Sequence, residues 1–193
     1  MSAKSRVAVK CPECKHAFIP SKEEVQSRAG ASSRRKGAAF ENRLAKRFAK
    51  WWPGGYEFKR TPMSGGSALK IGWGLAGDIA TTAPDFPWHL ELKNAPGSFA
   101  GLHQFYTASN GALWKWLDQA KTECPENKTP LLIFNRFDQP TYCAQHISWD
   151  NTVLNKLQAI GANYFTYMEK ERGMYVIWCF DDMLNSDPGV WKV

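Results

Sequence analysis

The chain has no apolar run near the eighteen residues that a membrane-crossing helix needs, and its start, Met1-Ser2-Ala3-Lys4, leads into no apolar signal core. Both absences predict a protein that neither spans a membrane nor is secreted, with the cytoplasm as its expected compartment. Cysteine is scarce: five, an odd number scattered apart from one pair, make no disulfide framework and fit a reducing compartment. The four histidines form no H-x₃-H or H-E-x₂-H pattern, which argues against a histidine-ligated catalytic zinc. Internal repeats and low-complexity stretches are also missing.

What the chain does have is positive charge in one place. Residues 1–60 hold 15 Lys and Arg against 5 Asp and Glu, net +10, while residues 61–193 hold 10 against 13, net −3. A basic N-terminal third on a near-neutral body suits an anionic polymer. Nucleic acid is the expected one, because no strongly apolar amphipathic face accompanies the charge as a membrane-surface helix would require. At 193 residues and 44% hydrophobic, with nine Trp, the chain can bury a core without staples.

Residues 1–33 read as a basic appendage and 34–193 as the main domain. Cys11-Pro12-Glu13-Cys14-Lys15-His16 is similar to the first knuckle of a zinc ribbon, with Cys11, Cys14 and His16 as candidate Zn²⁺ ligands. No second C-x₂-C follows, so a pair of free thiols is the alternative. Ser21-Lys22-Glu23-Glu24 has capping-box spacing for a short helix, and Ala29 to Ser33 reads as a joint. The clearest helix runs over 34–52, with Phe40, Leu44, Phe48 and Trp51 as its apolar stripe and Pro53-Gly54-Gly55 as its stop. Glu41 lies beside that stripe, where a carboxylate calls for a cation, a metal or a surface lysine.

A strand over 56–60 leads into the glycine-rich loop Ser64-Gly65-Gly66. Gly77-Asp78-Ile79 and Glu91-Leu92-Lys93 follow, separated by the turn Pro84-Asp85-Phe86-Pro87. Strand alternation over 88–93 places His89, Glu91 and Lys93 on one face and Leu90 and Leu92 on the other. A hairpin would return Asp78 to Glu91, and two carboxylates with a backbone carbonyl between them suit a hard divalent cation. Further on, a helix is expected over 112–123 with Leu113, Trp116, Leu117 and Ala120 inward. Strands are expected at 129–136, 141–146 and 174–180, and a helix at 153–160. Most tryptophans suit a core, while Trp73 between two glycines is a candidate for stacking on DNA.

Asp-x₁₂-Glu-x-Lys resembles the PD-(D/E)xK nuclease superfamily. Lys36-Gly37-Ala38-Ala39-Phe40-Glu41, Arg60-Thr61-Pro62-Met63-Ser64-Gly65-Gly66, Asp78 and Glu91-Leu92-Lys93 are similar in order to the Holliday-junction resolvases of archaea and phages. The usual Pro before the Asp is here Gly77, and the N-terminal knuckle has no counterpart in the minimal resolvases. The resemblance implies an α/β, restriction-endonuclease-like fold: a mixed central sheet with the hairpin in its middle and helices on both sides. It implies a metal-dependent, structure-selective DNA endonuclease. Asp78, Glu91 and the Leu92 carbonyl would hold Mg²⁺ or Mn²⁺, with Glu41 in support, and Lys93 would position the attacking water. Arg34, Arg35, Lys36, Arg60 and the Ser64–Gly66 loop would hold phosphates, and Lys115 or Gln119 would reach in from the next helix. Two symmetric cuts would need a homodimer, for which Trp149, Tyr164, Phe165, Tyr167 and Trp191 offer apolar surface. The alternatives are a non-catalytic DNA-binding protein and a nuclease-fold part of a phage particle or replication complex.

Overall fold

The computed structural model describes residues 9–10, 17–18, 22–61, 77–95, 111–136 and 139–192. Two compact units, Met1–Gly37 and Ala38–Val193, divide the chain. In the first, β1 (Val9–Lys10) pairs antiparallel with β2 (Ala17–Phe18). Helix α1 (Lys22–Trp51) begins in this unit and continues into the second. The expected joint at Ala29–Ser33 is therefore helical. Between Pro20 and Pro53 no proline interrupts the ladder, and Gly30 and Gly37 cost a helix only about 1 kcal/mol each. Past Trp51 the chain turns through Gly54 and Gly55, both at positive φ.

The second unit is mixed α/β. Its five-stranded sheet has the order β5-β6-β7-β9-β8. The strands are β5 (Trp88–Ala95), β6 (Thr129–Arg136), β7 (Tyr142–His146), β8 (Tyr164–Glu169) and β9 (Gly173–Cys179). β5 and β6 run parallel, as a strand–helix–strand crossover through α2 (Ala112–Glu123) requires, and the other pairs are antiparallel. A separate two-stranded ladder joins β3 (Phe58–Arg60) to β4 (Ile79–Thr81).

Helices cover both faces of the large sheet. On one, Phe40, Leu44, Phe48 and Trp52 of α1 join Leu90, Leu92, Leu131, Ile133, Val176 and Trp178. The short helices α3 (Val153–Ala159) and α4 (Phe180–Leu184) close the same core with Val153, Leu157, Phe180 and Met183. On the other face, Leu113, Trp114 and Leu117 of α2 pack on Ala95, Leu132, Phe134, Tyr175 and Ile177. This is the restriction-endonuclease-like layering.

Four expectations need correction. Asp78 and Glu91 do not sit on one hairpin: β4 pairs with β3, and β5 lies at the edge of the five-stranded sheet, not in its middle. Trp114, not Trp116, enters the core of α2, because the buried stripe runs Leu113, Trp114, Leu117, Ala120 and Trp116 is half-buried. β8 is a further strand with no continuous apolar run to announce it, its exposure alternating along a sheet edge. Trp191 offers no docking surface: it is 1% exposed and stacks on Trp178, while Trp149, Tyr164, Phe165 and Tyr167 are half-buried against the two cores.

Candidate metal and active centre

The edge position of β5 is what allows Asp78 to reach it. Gly77 has φ +89, and a Cβ placed there would stand 2.6 Å from the Leu90 carbonyl oxygen. Only glycine permits so close a backbone approach at that φ, and the fixed φ of proline near −65° is incompatible with it. The departure from the superfamily's Pro thus has a steric cause in this chain.

Beyond Gly77, the Asp78 N–H donates to the Leu90 carbonyl at 2.8 Å, and the Leu92 N–H donates to Asp78 Oδ2 at 2.7 Å. The Thr61 N–H donates to the Asp78 carbonyl at 3.0 Å. Asp78 is thereby tied to both strands flanking it, and its side chain is held against β5 between Leu90 and Leu92.

Strand alternation then sorts β5. Leu90 and Leu92 enter the α1 core, and His89, Glu91 and Lys93 lie on the alternate side, toward α2. Glu91 is 2% exposed and is ion-paired with Lys93. Lys93 Nζ also donates to Gln119 Oε1 at 3.0 Å, and Gln119 Nε2 donates to Glu123 Oε1 at 3.1 Å. Burial foremost, then the neighbouring Asp78 carboxylate, push the Glu91 carboxyl up to about 7 against the pull of Lys93, with Glu123 adding a smaller push. A buried, crowded carboxylate with one ammonium beside it is a site short of positive charge.

Glu41 has found a cation. It is ion-paired with Arg60, which precedes the Thr61 that hydrogen-bonds to Asp78. Of the two candidates on α2, Gln119 contacts Lys93, whereas Lys115 is exposed. Arg34, Arg35 and Lys36 are exposed on α1. Cys11, Cys14, His16, Ser64, Gly65, Gly66 and Trp73 lie outside the described residues.

Two residues near the centre escaped the sequence. Donor atoms of His89, Glu91 and Glu123 all lie within 4.8 Å of one another. Burial holds the His89 imidazole below its ordinary value, opposed by the Glu123 carboxylate. A signal for His89 existed, two positions before Glu91 and so on the same strand face. Glu123 is 32 positions away and meets them only through packing of α2 on the sheet.

A family model described as "phage putative PDDEXK endonuclease" matches residues 32–189. The chain belongs to that family, within the PD-(D/E)xK nuclease superfamily. No curated protein and no solved structure matches the chain.

Proposed function

We propose that this member of the phage PDDEXK endonuclease family is a divalent-metal-dependent DNA endonuclease, selective for branched DNA in the manner of a Holliday-junction resolvase. One observation supports the reading above all: the close approach at Gly77 pins Asp78 against the strand that bears Glu91 and Lys93. The donor set is two carboxylates that crowd each other in a buried setting, which fits Mg²⁺ or Mn²⁺. Asp78, Glu91 and the Leu92 carbonyl would hold the ion.

When bound, such an ion supplies Lewis-acid stabilisation of the phosphate and a more acidic water. Lys93, steadied by Gln119, orients the attacking water and offsets charge developing on the phosphate. The Glu41–Arg60 pair holds Arg60 beside the Asp78 segment, where its guanidinium faces a phosphate. Arg34, Arg35 and Lys36 would add phosphate contacts, and Ser64, Gly65 and Gly66 would cradle a phosphate. Zinc at Cys11, Cys14 and His16 would serve the appendage.

A four-way junction is two-fold symmetric and needs two matched cuts, and one chain has one such centre. The reading therefore includes a homodimer. Symmetry supports the dimer, since Trp191 is in one core and Trp149, Tyr164, Phe165 and Tyr167 pack against the two cores. Action in the cytoplasm of a host cell fits the phage family.

The test is cleavage of four-way, flap and plain duplex DNA of equal length in Mg²⁺. Faster, symmetric cutting of the four-way substrate is expected. Equal cutting of duplex would reduce the protein to an unselective nuclease, and binding without cutting in any divalent metal would favour a non-catalytic DNA-binding or particle component.

A further inference from the structure

His89 is 1% exposed, and neither ring nitrogen has a hydrogen-bond partner. A buried polar group left unsatisfied costs about 1–3 kcal/mol. The ring stands against Gly77, whose added Cβ would lie 3.3 Å from His89 Cε1, so the packing that fixes Asp78 fixes the imidazole as well. Beside it stand the carboxylates of Glu91 and Glu123, with donor atoms of all three residues within 4.8 Å of one another. Glu123 is steadied by the Gln119 amide, which also accepts from Lys93.

We propose that His89, Glu91 and Glu123 form a second divalent-metal subsite beside the Asp78–Glu91 pair, taking Mn²⁺, Co²⁺ or Zn²⁺ in preference to Mg²⁺. An imidazole nitrogen with two carboxylates is a donor set for borderline transition ions, whereas Mg²⁺ prefers oxygen and keeps its waters. Ligand bonds of about 2.0–2.2 Å put donors on one ion at most about 4.4 Å apart. The closing movement falls to Glu123, whose exposed side chain at the C-terminal end of α2 would exchange its hydrogen bond from the Gln119 amide for the ion. The buried His89 and Glu91 stay where β5 holds them. Glu91 belongs to both ligand sets, and in that one respect the subsite rests on the reading proposed above.

The experiment uses the full chain, stripped with chelator and titrated with Mn²⁺, with bound ion counted by electron paramagnetic resonance. Spin-echo envelope modulation then detects nitrogen bonded to the ion. Wild type should show directly coordinated nitrogen, and His89→Gln should abolish it. Glu123→Gln, on an exposed side chain and with folding checked by circular dichroism, should weaken that ion by at least about tenfold. Asp78→Asn should keep the nitrogen-coupled ion. Absence of the nitrogen signal in wild type, its survival in His89→Gln, or unchanged binding in Glu123→Gln would overturn the subsite. Nitrogen-coupled Mn²⁺ in a wild-type protein that cuts no DNA would instead sink the nuclease reading and leave the subsite standing.

Discussion

Removing the charge of Glu91 should stabilise the metal-free protein at neutral and alkaline pH. Glu91 is 2% exposed and its carboxyl sits at about 7, against 4.5 in the open chain. In that window the folded chain keeps a proton that the unfolded chain has released. The stability this supplies is complete below pH 4.5 and is lost as pH rises through 7. At 1.36 kcal/mol per tenfold in proton affinity, the loss is roughly 3 kcal/mol. Burial penalises the charged form most, Asp78 and more weakly Glu123 add to that penalty, and Lys93 eases it. His89 acts in the opposite direction: its depressed value makes the fold lose stability as pH falls below 6.5. Glu91→Gln retains that histidine slope and lacks the carboxylate one, so the difference between the two proteins isolates Glu91. Thermal melts in chelator should show the variant gaining on wild type between pH 5 and pH 8, by roughly 6–12 °C for a chain of this size. Divalent ions should raise wild type toward or past the variant, because they bind only the folded site. Parallel curves for the two proteins from pH 5 to 8 would refute the claim that Glu91 is buried against like charge.

Gly77→Ala should lose at least about 1–2 kcal/mol from the left-handed backbone alone. A further loss comes from a Cβ 2.6 Å from the immobile Leu90 carbonyl, and denaturant melts with a parallel cleavage assay should show both stability and cutting fall. Arg34→Ala with Arg35→Ala should weaken binding to every DNA alike, and should flatten the slope of log K against log salt by about 2, measured by fluorescence anisotropy.

Much of this fold is legible where burial is continuous. β6 carries the apolar run Pro130 to Phe134, buried throughout, and α2 presents Leu113, Leu117 and Ala120 at helical spacing. Legibility fails where tertiary partners decide. The tie between Asp78 and β5 came not from hairpin pairing but from a glycine that lets two backbones touch. The choice of Trp114 over Trp116 follows from which side of α2 meets Tyr175 and Tyr167, information absent from periodicity that admits both. β8 is stabilised by its ladder to β9, with a glycine at φ +82 in Gly173, rather than by apolar content of its own. Around the centre, Asp78, Glu91, Lys93 and Gln119 could be nominated from pattern and resemblance. His89 shares the strand face of Glu91, but a lone histidine in a strand has no spacing motif that marks a ligand, and nothing local marks Glu123.

The most direct measurement is Mg²⁺-dependent cleavage by Asp78→Asn. Asparagine keeps an oxygen for the Leu92 N–H and so preserves the 2.7 Å contact that orders the segment, while it removes the charge a cation needs. Loss of several kcal/mol of transition-state stabilisation should lower cutting at least about a thousandfold. DNA affinity, measured in parallel, should stay near that of wild type. Cutting at the wild-type rate by this variant would contradict the assignment of Asp78 and Glu91 as the metal-dependent centre.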